Sequence, residues 1–62
     1  MFTSDYTYTV QYRCQYREHW YDQADGLTWA QAMATASTLV QTTGRMVRIL
    51  GWEGNVVWES WS

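Results

Sequence analysis

Tyr6-Thr7-Tyr8-Thr9-Val10-Gln11-Tyr12-Arg13-Cys14-Gln15-Tyr16 is the stretch that decides the architecture. Tyr6, Tyr8, Val10, Tyr12, Cys14 and Tyr16 alternate with Thr7, Thr9, Gln11, Arg13 and Gln15. A period of two puts one set on one side of a β-strand and the other set on the opposite side. Tyr, Val and Thr also favour the extended backbone. The stretch therefore predicts a strand with an aromatic face that another element must cover. Strands rarely exceed about ten residues. The run from Tyr6 to Asp22, which lacks Gly, Pro and Asn, is thus expected to fold into a hairpin. Its turn is placed within Tyr16–Glu18 and a short second strand at His19–Asp22.

Asp22-Gln23-Ala24-Asp25-Gly26 reads as a loop, because Asp and Gly supply turn conformations. Thr28 then stands three residues before Gln31, the spacing of a capping box, and Gly44 supplies a C-terminal stop. A helix over Trp29–Thr43 follows. Its apolar residues Trp29, Ala32, Met33, Ala36, Leu39 and Val40 form one stripe. No charge occurs between Gly26 and Gly44, so the other side of the helix is neutral. Such a face reads either as a lightly solvated surface or as a contact face.

Beyond Gly44, Arg45–Leu50 and Val56–Ser60 read as strands joined by the turn Gly51-Trp52-Glu53-Gly54-Asn55. Val47 and Ile49 share one face, with Met46, Arg48 and Leu50 on the other. Val56 and Trp58 share one face, with Val57, Glu59 and Trp61 opposite. Apolar residues on both sides of a hairpin point to cover on both sides. The order β-β-α-β-β gives an α+β fold: a small, mostly antiparallel sheet with one helix packed on one face. The core is expected where Trp29, Met33, Ala36 and Val40 meet Tyr8, Val10, Tyr12, Ile49 and Trp58.

Sixty-two residues suit one small domain spanning 1–62. A chain of this size buries only about 60% of the surface it exposes when unfolded. Five Trp, five Tyr and one Phe raise the apolar content, more than so small a core holds. Some aromatic surface is therefore expected at an interface. A single cysteine, Cys14, precludes an internal disulfide and fits the cytoplasm. No apolar run of membrane-spanning length and no signal-peptide pattern is present.

The net charge of −2, with Arg13, Arg17, Arg45 and Arg48 as the whole basic inventory, gives no global attraction to phosphate. His19, with Glu18, Asp22 and Asp25 nearby, offers too few ligands for a metal ion once its lack of a second Cys or His partner is counted. Cys14 reads as a small apolar residue rather than as a nucleophile served by His19. No phosphate loop and no Ser/His/Asp set is present, so no catalysis and no cofactor are expected.

The expectation is thus a non-enzymatic protein-interaction module. Its size suits an accessory protein of a phage or mobile element that binds and modulates a host protein. A homodimer is expected through Met46, Arg48, Leu50, Val57, Glu59 and Trp61, an apolar patch carrying one charge of each sign. The alternative is a single-stranded nucleic-acid-binding module that uses Arg13, Arg17 and Arg48 beside aromatic rings.

Overall fold

The computed structural model describes residues 8–14 and 16–60. The expectations for Tyr6, Thr7, Gln15 and Trp61 lie outside them. The elements are β1 (Tyr8–Arg13), β2 (Tyr21–Leu27), α1 (Trp29–Thr43), β3 (Met46–Leu50) and β4 (Val56–Ser60). The strands form one antiparallel sheet in the order β2-β1-β3-β4, and α1 packs on one face. The fold is the α+β arrangement that the alternation and the capping signals predict.

Alternation in β1 puts Tyr8, Val10 and Tyr12 towards the helix. Pairing Val10 with Ile49 and Tyr12 with Val47 brings the β3 residues onto the same side. Val10, Val47 and Ile49 are completely buried against Ala32 and Ala36. Tyr8, Tyr12, Leu27, Met33, Leu39, Val40 and Trp58 surround that centre and are partly buried. Trp29, expected in the core, is 43% exposed and sets its ring edge-on to Tyr8, with centroids 5.2 Å apart. The two alanines, not the large residues of the stripe, are the helix residues completely buried against the sheet.

Helix α1 begins and ends where its capping residues dictate. Thr28 Oγ1 accepts from the Gln31 amide at 3.1 Å, and Gln31 Oε1 accepts from the Thr28 amide at 3.0 Å. Gly44 adopts φ 67°, and its amide donates to Val40 O. The last turn has no basic side chain. Hydroxyls serve it instead: Thr42 Oγ1 donates to Thr38 O and Thr43 Oγ1 to Leu39 O.

The second strand departs from the expectation. The segment read as a short strand at His19–Asp22 followed by a loop is instead β2, which runs on through Asp22, Asp25 and Gly26 to Leu27. Its register with β1 shifts twice: Gln11 faces Asp22, Val10 faces Ala24, and Tyr8 faces Leu27. Each shift inserts one extra residue into β2, so both are β-bulges. Gly26 takes φ 65° at the second. The turn-forming residues thus serve bulges within a strand. β1 correspondingly ends at Arg13, and Tyr16 is 83% exposed in the connection to β2. The β3–β4 turn forms as expected, closed by Gly51 N donating to Asn55 O and Gly54 N to Gly51 O. A register shift beyond Ile49 sets Val56 opposite Leu50 rather than beside Trp58.

Two stability outcomes follow. Thr28→Ala removes the hydroxyl that caps α1 and should cost about 1 kcal/mol. That lowers the melting temperature by about 4–8 °C for a domain of this size, measured by circular dichroism. Ala36→Asp places an unpaired carboxylate where no solvent reaches and should abolish the cooperative melt. Val40→Asp, at the half-buried rim, should lower the melting temperature while keeping a transition.

Candidate functional site

The face of the sheet away from α1 is built from the alternate residues of the same strands. Thr9, Gln11 and Arg13 come from β1, and Met46, Arg48 and Leu50 from β3. In β4, Glu59 lies opposite Arg48. Met46, Arg48, Leu50 and Glu59 are therefore brought to one side of one hairpin, as the alternation requires, whereas the register shift interrupts the alternation at Val57 and sets Val56, not Val57, opposite Leu50. Met46, Arg48 and Leu50 are partly buried, whereas Val57 is 43% exposed.

Arg13 and Arg48 belong to the same face, and a chain of polar contacts crosses three strands there. Gln11 Nε2 donates to Asp22 Oδ1 at 2.7 Å, and Arg48 Nε donates to Gln11 Oε1 at 2.8 Å. Trp20, from the β1–β2 connection, takes both cations. The Arg48 guanidinium carbon lies 4.0 Å from its ring centroid and that of Arg13 lies 5.3 Å from it. Both distances are within the range of cation–π attraction. Arg13 also donates through Nη1 to Arg17 O at 2.6 Å, tying the connection to β1. Its Nε is buried without a hydrogen-bond partner. Arg17 itself is exposed in the connection. Trp20 was not singled out from sequence, although it is the residue that joins Arg13 to Arg48. The signal was the adjacency of an aromatic to the expected hairpin turn.

The connection places its next ring on the other side. His19 lies edge-on to Tyr21, with centroids 4.6 Å apart, and Tyr21 stacks on Tyr12 at 5.7 Å. The Arg45 guanidinium carbon lies 5.5 Å from the Tyr12 ring. His19 and Cys14 are thus accounted for by packing and by position. His19 closes an aromatic row, and Cys14 is a partly buried free thiol just past the end of β1. Among the described residues, no group of three or more His, Cys, Asp and Glu side chains is placed to hold a metal ion.

Among the described residues, shallow grooves flank the helix on both sides. One, of about 150 Å³, is lined by Ser37, Val40, Gln41, Trp58 and Ser60 on the β4 side. The other, of about 310 Å³, is lined by Gln23, Ala34, Thr35, Thr38 and Leu39 on the β2 side. Both have uncharged linings. Among the described residues, no helix is long and apolar enough to cross a membrane. No family model, curated protein or solved structure matches the chain.

Trp20 links the two arginines by attraction to its ring face, an interaction of about 0.5–1 kcal/mol at exposed sites and more when desolvated. Trp20→Ala should therefore destabilise the protein by about 1 kcal/mol in urea titration. The effect should vanish when Arg13 and Arg48 are both replaced by Met. An equal cost in that background would assign Trp20 to apolar packing alone.

Proposed function

We propose that this chain is a non-enzymatic interaction module whose outer sheet face binds protein, with a second copy of the chain as the occupant. The observation that carries the reading is the composition of that face. Met46 and Leu50 lie around Arg48 and Glu59, with Val56 opposite Leu50, while the only described helix packs on the other side. An apolar patch with one charge of each sign is self-complementary about a two-fold axis. Arg48 of one copy then meets Glu59 of the next. Gln11 and Trp20 hold the Arg48 side chain in place beforehand, which lowers the entropy cost of association. The uncharged linings of both grooves favour binding over acid–base chemistry. The free thiol of Cys14 suits the cytoplasm, and a phage or mobile-element accessory protein acting on a host protein is the setting we propose.

A second reading rests on Arg13 and Arg48 converging on Trp20, with Arg17 beside them. Guanidinium groups next to an aromatic ring suit the phosphates and bases of a single strand. Its binding would weaken steeply with salt.

Light scattering across a concentration series, with oligo-deoxythymidine titrated in parallel, separates the two. A self-associating module shows a mass rising towards twice 7.3 kDa. In that case Met46→Glu should restore the monomer without changing the circular dichroism, because the added carboxylates meet only in the assembly. A constant monomer mass at high concentration removes the dimer. Salt-sensitive oligonucleotide binding that is lost in Arg48→Ala establishes the second reading instead.

A further inference from the structure

The two edges of the sheet differ in what they offer another strand. The outermost strands of a sheet present unpaired backbone N–H and C=O groups, and bulges are one device that keeps such an edge from pairing. β2 has two bulges within seven residues, a left-handed Gly26, and the charges of Asp22 and Asp25. Regular pairing geometry survives only at Tyr21–Asp22. β4 has a single shift near its start, and Trp58, Glu59 and Ser60 follow β3 in unbroken register. Among the described residues, the β2 edge is thus interrupted twice and the β4 edge once, the latter leaving Trp58, Glu59 and Ser60 in regular register.

The regular edge lies beside the smaller groove. Trp58 and Ser60 occupy alternate positions of β4, and both line that groove with Val40, Ser37 and Gln41 of the helix. It is shallow and uncharged, so an aliphatic side chain can pack against Val40 and Trp58 there. Glu59, between Trp58 and Ser60, is directed to the other side of the sheet and exposed. A strand added to β4 would turn its alternate residues towards the groove and the residues between them towards Glu59.

We propose that the β4 edge accepts an extended segment of a partner protein by strand addition, one that alternates aliphatic and basic residues. The aliphatic residue enters the groove over Val40 and Trp58. The basic residue pairs with Glu59 on the outer side. Backbone bonds supply affinity and the alternate side chains supply selectivity, as in other strand additions. Charge decides between this occupant and a second copy. Antiparallel pairing of two β4 strands about Trp58 or Glu59 sets the two Glu59 carboxylates diagonal or opposite to each other. Like charges so placed oppose pairing. The proposal shares Glu59 with the outer-face dimer, but its groove over Val40 and Trp58 lies on the helix side and it does not depend on that dimer.

The probe is the capped peptide Val-Arg-Val-Arg-Val, titrated into ¹⁵N-labelled protein. Amide shifts should concentrate at Trp58, Glu59, Ser60, Val40 and Gln41. N-methylation of alternate peptide amides should weaken binding about tenfold or more, since each lost backbone bond is uncompensated. Glu59→Lys should reverse the preference towards Val-Glu-Val-Glu-Val. Met46→Glu should bind the peptide at least as tightly as the wild type does, because loss of the outer-face dimer leaves Glu59 free for the peptide. No binding at millimolar peptide, equal binding of the N-methylated form, or shifts centred on β2 or on Met46–Leu50 would overturn the proposal. So would the same β4 shifts appearing on concentrating the protein alone, which would give the edge to a second copy.

Discussion

One helix cannot cover four strands, and most of what this molecule presents to its surroundings follows from that. Three inter-strand spacings of about 4.8 Å put the outer strands about 14 Å apart. A helix with its side chains is about 10 Å across. Helix α1 therefore covers the central pair, β1 and β3, whose Val10, Val47 and Ile49 are the completely buried strand residues. Ala32 and Ala36 let the helix settle close over that pair. Close seating deepens the centre at the expense of the flanks. The outer strands consequently show part of their inner surface beside the helix, which is where both grooves lie.

The opposite face has a different problem and a different solution. A sheet side without a helix over it must be polar enough to stand in water, yet β3 places Met46 and Leu50 there. Gln11 holds the balance. It sits in the central strand β1 and bonds outward to Asp22 on one neighbour and Arg48 on the other. Its side-chain amide has a donor NH2 and an acceptor oxygen, so one group both donates to the carboxylate and accepts from the guanidinium. The bridge fixes Arg48, and Arg48 in turn provides the cation on which Trp20 rests. Ordering of the β1–β2 connection is thus coupled to a side chain in β3. Arg13 reinforces the link by reaching both Trp20 and the Arg17 carbonyl.

Much of the architecture was legible because its signals were local. The alternation in Tyr8–Arg13 and the Thr28/Gln31 reciprocal bonds each need only a few neighbouring residues, as does the left-handed Gly44. β2 was not legible for the converse reason. Asp22, Asp25 and Gly26 carry turn chemistry, and what made them strand residues was the hydrogen-bonding partner β1, which a local reading cannot supply. The Trp29 side chain was misjudged for a related reason. Its period places it on the stripe, but it occupies the first turn of the helix, where its ring sits edge-on to Tyr8 and stays 43% exposed. At the candidate site, period two correctly grouped Met46, Arg48 and Leu50. It could not reveal that Trp20 would fold over Arg13 and Arg48, because that contact depends on the path of an irregular connection.

Charge is distributed unevenly over the two layers, and this separates the kinds of association each can support. Between Gly26 and Gly44 the chain has no ionisable side chain, so the helix and both grooves are electrically quiet. Arg13, Arg48, Asp22 and Glu59 belong instead to the outer side of the sheet. Contact at the outer face is consequently sensitive to screening, with a Debye length of about 8 Å at physiological ionic strength. A contact in the grooves themselves would rely on apolar burial, which salt affects far less, leaving only an ion pair at Glu59 open to screening. Layering of a neutral helix over a charged sheet thus gives one small domain two surfaces whose partners must differ in chemistry. The strands themselves enforce the division, since each successive residue is assigned to one layer or the other.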